Sequence, residues 1–383
     1  IEDVESIRAP QQGRDLALAI DLKVQYIAYR ELKAALEEHR ARAGGIVVLD
    51  ARTGEVLALA NLPAYNPNNR GRIDPQRSRN RALTDLFEPG STLKPFTVAA
   101  ALEAGRIRPE TMIPTGAGRL SIGKATIHDV HPAGTISVEQ VIQKSSNVGA
   151  AKIALDLPAQ TLWTLFARSG FGALPKSGFP GEGSGRLRAH HTWRPIEQAT
   201  MSYGHGISVS LLQLARAYTI FASDGELLPV TLIKRTEPEA GAAAISPATA
   251  RAMRKMLEMA VQPGGTAPRA QIPGYRVAGK TGTAHKLENG RYAANKYVSS
   301  FVGFAPASDP RIVVAVMIDE PSAGQHYGGA VAAPVFREVA AAALRTLSVA
   351  PDAPTFNVKL PPADAPVVRE EVWIARDDSG PKS

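Results

Sequence analysis

The chain holds 383 residues, 44% apolar and 21% charged, which allows one large domain or two ordinary ones and excludes a disordered chain. Net charge is +8 with a sequence pI of about 9.6, a balance that favours an anionic partner: nucleic acid, a phospholipid surface or an acidic polymer. There is no cysteine, so disulfides and thiolate metal sites are excluded.

Residues 1–20 read as an extended lead-in. Asp21 can cap a helix in which Val24, Ile27, Ala28, Leu32, Ala35 and Leu36 recur at helical spacing, with Gly44-Gly45 as its stop. Ile46–Asp50 and Glu55–Ala60 are apolar runs joined by Arg52-Thr53-Gly54, a β-hairpin pattern. Residues 61–81 are rich in Asn, Pro and Arg and read as a loop. Arg70, Arg72, Arg77, Arg79 and Arg81 supply much of the excess charge there. They lack interleaved aromatics and helical spacing. A solvated arginine-rich loop with some arginines in ion pairs is the reading, and no nucleic-acid partner is expected.

The stretch 84–260 reads as mostly helical, with helices over Thr92–Leu102, Val138–Leu155 and Ser208–Ala222, the last capped by Ser208 or Ser210. Residues 171–189 hold many glycines and prolines and read as irregular. Tyr275–Ala278, Val298–Ala305 and Ile312–Ile318 are apolar β-branched runs, and Pro334–Leu347 reads as a closing helix. Two early and three late strands around a helical middle imply an α+β fold. The expectation is a five-stranded antiparallel sheet assembled from both chain ends, flanked by helices, with an inserted all-helical subdomain. The expected boundaries are a lead-in over 1–20, a main domain over 21–350 and a loosely ordered tail over 351–383.

Three short signatures fall in order: Ser91-Thr92-Leu93-Lys94, Ser145-Ser146-Asn147 and Lys280-Thr281-Gly282-Thr283. Each alone is weak. Ser121–Lys124 and Ser379–Lys382 repeat the first pattern, Ser78-Arg79-Asn80 the second and Lys176-Ser177-Gly178 the third. Context separates them. Ser91 follows the turn Glu88-Pro89-Gly90 and opens a helical pattern, where free N–H groups can stabilise an oxyanion. Lys94 lies on the same helix face, within reach of the Ser91 hydroxyl, which needs a base to become a nucleophile. Ser121 sits in the strand-like Arg119–Ile122 and Ser379 in the tail. Lys280–Thr283 reads as an inner strand bordering a cleft, where Gly282 permits close approach and Lys280 adds fixed charge. Lys176–Gly178 is hemmed in by Pro175 and Pro180. Ser145 and Asn147 follow a helical run, where a polar cluster can equally cap or break a helix.

The sequence resembles class B penicillin-binding proteins, and within them the division-specific, FtsI-like transpeptidases. The resemblance extends past the three signatures to Tyr65–Arg70, Asn80–Phe96, Gly178–Glu182, Tyr203-Gly204-His205-Gly206 and Gln213–Tyr218. It covers residues 13–347 and implies the penicillin-binding/serine β-lactamase-like transpeptidase fold, with residues 1–20 a remnant of a non-catalytic module and linker. It also implies peptidoglycan D,D-transpeptidase activity in septal cell-wall synthesis, on stem peptides ending in D-Ala-D-Ala, and acylation by β-lactams. Ser91 would be the nucleophile, Lys94 its base, Ser145 a proton relay and Asn147 an orienting group. Lys280 would lower the basicity of Lys94, the backbone N–H groups of Ser91 and Thr283 would form the oxyanion hole, and Thr281, Gly282 and Thr283 would bind substrate. Burial and Lys280 are both expected to favour neutral Lys94.

The implied partners are a septal glycosyltransferase and other division proteins, at the periplasmic face of the inner membrane. The chain opens at Ile1 rather than Met, as a processed chain or one trimmed of a single-pass anchor would, and no apolar run reaches about 18 residues. No role is carried over for 285–297. A serine β-lactamase, a DD-carboxypeptidase and a non-catalytic β-lactam sensor share the three signatures and stay open as alternatives. His190-His191 and the other histidines lack metal-ligand spacing, so neither metal nor cofactor is expected.

Overall fold

The computed structural model describes residues 11–69, 71, 74–288, 291–360 and, as backbone, 374–376. Arg70, Arg72 and Ser379–Lys382 lie outside the described residues, as do positions 1–10.

Helix α1 (Leu22–Glu38) begins at Asp21, whose carboxylate accepts hydrogen bonds from the N–H groups of Lys23 and Val24. Val24, Ala28, Leu32 and Ala35 form its buried stripe. The helix ends at His39, ahead of the glycines expected to stop it. Gly44 and Gly45 belong instead to strand β1 (Ala43–Asp50). A Cβ on Gly44 would stand 2.8 Å from Leu32 Cδ1 and 2.9 Å from the Met317 carbonyl, so the glycine lets the helix lie close on the sheet.

The hairpin partner of β1 is β2 (Val56–Leu62). The three late strands are β3 (Ala278–Glu288), β4 (Arg291–Ala305) and β5 (Ile312–Asp319). They complete one antiparallel sheet in the order β2-β1-β5-β4-β3, as expected. Strands β1 and β5 are buried along almost their whole length, and their apolar runs are continuous because both faces are covered. Alternate residues of β1 go to two cores: Val47 and Leu49 to one, Ile46 and Val48 to the other. The second core is closed by α1 and by the last long helix.

The middle of the chain supplies α2 (Lys94–Glu103), α3 (Val138–Gln143), α4 (Asn147–Leu155), α5 (Ala159–Arg168), α6 (Pro195–Met201), α7 (Leu211–Ala222) and α8 (Pro247–Val261). Helix α9 (Ala333–Thr346) closes the fold. Ser210, not Ser208, caps α7, in a reciprocal pair with Gln213.

Two expectations need correction. The insert is not all-helical: Met112–Gly116 pairs with Gly134–Ser137, and Arg119–Ile122 with Ala125–His128. Gly116, Gly118, Gly123 and Gly134 take positive φ and turn the chain too often for a helix to propagate. Val138–Leu155 is two helices, broken at Lys144–Ser146.

Among the described residues, the segments that flank the main domain bond to it. Ala19 and Lys234 donate backbone bonds that pair the lead-in with residues 232–234. Asp352 accepts from the Arg276 N–H, and Asn357 bonds the backbone of Gly274 and Tyr275, so residues 351–360 are held against the main domain. Backbone 374–376 adds a third strand beside 125–127.

Candidate active site

Pro89-Gly90 turns the chain with Gly90 at φ +57°, and Gly90–Leu93 forms a 3₁₀ turn that runs into α2. Pro95 sits in the first turn of α2, where its missing N–H costs nothing. Phe96 anchors that helix against Phe171, Tyr218 and Phe221. The Tyr218 hydroxyl donates to the Thr92 carbonyl at 2.8 Å. Ser91 is thereby fixed at a helix start, as expected.

Lys94 is wholly buried, and its amine lies 2.8 Å from Ser91 Oγ, 2.9 Å from Ser145 Oγ and 2.6 Å from the Ser145 carbonyl. The first two signatures therefore meet on one nitrogen. Ser145 holds this position from an unusual backbone state, φ +60°. It occupies the left-handed position of a helix C-terminus, with Ser145 N–H on the Ile142 carbonyl and Ser146 N–H on the Val141 carbonyl. Glycine is usual there. A serine at this position costs roughly 1–2 kcal/mol, and it delivers both of its oxygens to Lys94.

The restart of the chain as α4 is organised by Asp129, which sequence reasoning missed. Its carboxylate accepts from the Ser146 hydroxyl at 2.7 Å and from the N–H groups of Asn147 and Val148. These are the orphan donors of a helix start, satisfied from a distant loop. Asn147 Nδ2 donates to the His128 carbonyl, while its Oδ1 is buried without a partner. A buried bare amide oxygen is suited to receive a ligand N–H. Ser91, Asp129, Lys144, Ser145, Asn147 and Thr266 all line one cleft of about 460 Å³.

The third signature is in β3, which is an edge strand and not the inner strand expected, because only β4 pairs with it and its other side borders the Ser91 turn. A Cβ on Gly282 would stand 2.7 Å from the Pro89 carbonyl and 2.6 Å from Ser300 Oγ, so the expected close approach is that of the serine turn itself. Lys280 is wholly buried, with its amine 3.1 Å from Thr281 Oγ1 and 3.4 Å from Thr266 Oγ1. The Thr281 hydroxyl is itself 2.8 Å from that of Thr266, so it supports Lys280 and Thr266. Thr283 Oγ1 accepts from the Gly328 N–H at 3.1 Å and keeps its own proton to donate.

The decoys stay apart from this cleft. Ser121 is exposed beside Thr126, Ser78 lies in an exposed turn, and Ser177 bonds Glu182 in the irregular loop. Of the arginine run, Arg79 and Arg81 pair with Asp85 at 2.9 and 3.0 Å, in keeping with a partly ion-paired loop. Among the described residues no group of His, Asp or Glu could hold a metal.

Comparison with known proteins identifies the family. The penicillin binding protein transpeptidase domain matches residues 44–341. The chain is 46% identical over 366 residues to a probable peptidoglycan D,D-transpeptidase PenA of Neisseria flavescens, covering 94% of this chain and 91% of that one. It is 43% identical over 360 residues to the peptidoglycan D,D-transpeptidase FtsI of Escherichia coli K12, where it spans only 60% of the relative's length. A similar 59% holds for PenA of Neisseria gonorrhoeae. Among solved structures, the apo transpeptidase domain of Burkholderia pseudomallei penicillin-binding protein 3 matches with TM-score 0.82 and 50% identity, over 90% of this chain and all of that one. On its sequence, its sheet and its three converging signatures, the chain belongs to the penicillin-binding protein transpeptidase family.

Proposed function

We propose that the chain catalyses peptidoglycan D,D-transpeptidation through an acyl-enzyme at Ser91. The observation that carries this reading is the buried Lys94 amine within hydrogen-bond reach of both Ser91 Oγ and Ser145 Oγ. A nucleophile, a base and a relay thus share one nitrogen.

Burial favours the neutral amine, the form that can take the Ser91 proton. Ser91 Oγ then attacks the penultimate D-Ala carbonyl of a donor stem peptide. The backbone N–H groups of Ser91 and Thr283 hold the oxyanion, each donor being worth about 3–4 kcal/mol in the transition state. The proton passes by way of Ser145 to the leaving nitrogen, and D-Ala departs. An amine from a neighbouring stem attacks the ester and frees Ser91. Lys280 and the Thr283 hydroxyl suit the terminal carboxylate, and Asn147 Oδ1 suits a substrate N–H. The donor can lie along β3 as an added strand. A β-lactam acylates the same serine.

Against a β-lactamase, Asp129, the carboxylate in the Ser91 cleft, is committed to three donors around Asn147 and is not free to activate water. The septal role, the periplasmic membrane setting and partnership with a glycosyltransferase and division proteins are proposed from the relatives called FtsI.

The test is intact mass after incubation with a penicillin. A long-lived adduct on the wild type that is missing in Ser91→Ala is expected. No adduct, or its rapid loss with drug turnover, sinks the reading. Release of D-Ala from a pentapeptide that leaves only the hydrolysed tetrapeptide, even with an amine acceptor present, would make it a carboxypeptidase.

A further inference from the structure

Three segments meet beside Ser91 with almost no side-chain volume between them. Gly204, at φ +87°, has no room for a Cβ, which would stand 2.2 Å from the Gly90 carbonyl. Gly90 N–H bonds the Gly204 carbonyl at 3.3 Å. On the other side, a Cβ on Gly90 would lie 3.4 Å from the Thr283 carbonyl. The serine turn is therefore wedged between the Tyr203–Gly206 loop and β3, backbone against backbone.

One carboxylate joins the serine turn and the Tyr203–Gly206 loop to β4, the pairing partner of β3, through side chains. Glu88, just ahead of the turn, accepts from the Gly206 N–H at 2.9 Å and from the Tyr292 hydroxyl at 3.1 and 3.2 Å to its two oxygens. His205 Nδ1 lies 3.2 Å from Glu88 and 3.3 Å from the Tyr292 hydroxyl. His205 Nε2 is buried without a partner, and Nδ1 is the nitrogen whose proton is aimed at Glu88. Tyr292 belongs to the far end of β4, on a ribbon with β3 whose register slips between Tyr292 and Tyr297 and in which Leu287, Glu288, Arg291 and Tyr292 are exposed. Glu88 thus ties an otherwise loosely paired ribbon to the serine turn.

We propose that Glu88, held by Tyr292 and His205, is a positioning residue that fixes the distance between the Ser91 turn and β3. The two N–H groups assigned to the oxyanion hole come from these separate segments, so their spacing depends on that tie. The inference rests on Ser91 being the acylated nucleophile.

The experiment compares Tyr292→Phe, Glu88→Gln and the double variant by stopped-flow acylation with a fluorescent penicillin. It separates the first-order acylation constant from the dissociation constant of the non-covalent complex. Tyr292 is 47% exposed and loses a single oxygen, so Tyr292→Phe keeps the fold, which thermal melting checks. Acylation is expected to slow about tenfold in Tyr292→Phe and about thirtyfold in Glu88→Gln, the scale of a sub-ångström misplacement. The dissociation constant should stay within about twofold, and the double variant should be no slower than Glu88→Gln, because the two residues act as one unit. Wild-type acylation rates in either single variant, losses confined to the dissociation constant, or fully multiplicative losses overturn the proposal. A wild type that takes no adduct overturns the reading of Ser91 instead.

Discussion

Ser145 shows how one residue trades backbone comfort for chemistry. Its left-handed conformation aims both a carbonyl and a hydroxyl at Lys94. Ser145→Ala and Ser145→Gly both remove the hydroxyl and should both slow acylation. They differ in the backbone. Glycine relieves roughly 1–2 kcal/mol of left-handed strain and loses about 0.5–1 kcal/mol to unfolded-state freedom. Ser145→Gly is therefore expected to melt at or above Ser145→Ala in matched thermal scans; a clearly lower value would show that the strain is not there. Asp129 makes a second case. An amide can offer one acceptor where the carboxylate serves three donors, so Asp129→Asn should cost about 2–3 kcal/mol and loosen Asn147. Urea titration beside acylation kinetics checks both effects. The contact between Ser91 and Lys94 was legible in the sequence because it is local, three residues apart at one helix start. Asp129 was not, because it caps a helix start from a loop with no positional rule linking the two. Glu88, His205 and Tyr292 were hidden for the same reason.

At the scale of elements, the cleft depends on where side chains are missing. Gly282 lies in β3 with the Pro89 carbonyl and Ser300 Oγ directly over its α-carbon. Its backbone conformation suits any residue, so Gly282→Ala is expected to retain the fold while pushing the serine turn off the strand. Acylation should fall at least about tenfold, with the melting temperature lowered by a few degrees, the scale of about 1 kcal/mol. Loss of folding with no loss of rate in the folded fraction would contradict this. The strands followed from apolar, β-branched runs and the long helices from helical apolar spacing. The split of 138–155 did not, because Val138, Val141, Ile142 and Val148 continue the apolar pattern through the break. The β3–β4 ribbon was opaque for the opposite reason: its described residues between 285 and 297 are mostly polar and none is buried, and pairing alone makes it a strand pair.

The whole molecule carries an electrostatic signature that pH reads out. Burial alone would raise the Glu88 pKa, but hydrogen bonds and charge from His205, with the Gly206 N–H and the Tyr292 hydroxyl, outweigh it and hold the value below 4.5. A depressed carboxylate pKa means stability that is fully present above the unfolded value and lost as pH falls through the folded one. The stability gap between wild type and Glu88→Gln should therefore be widest near neutral pH and close in acid. Urea titrations from pH 7 to pH 3 measure it, and a gap that stays constant would reject the linkage. Sheet order was also legible at this scale, since two early and three late apolar runs leave few arrangements. It has a consequence for how the protein comes into being. The Arg42–Glu320 ion pair joins residues 278 apart, and β1 meets β5 along its whole length beside it. A chain emerging N-terminus first must carry the β1–β2 hairpin with one unpaired apolar edge until the last strands appear. Loop closure on that scale is slow and leaves the edge open to other chains. Fragments ending before β5 should show β1 amides unprotected in hydrogen exchange, and the protein should need a holding chaperone until synthesis passes residue 319.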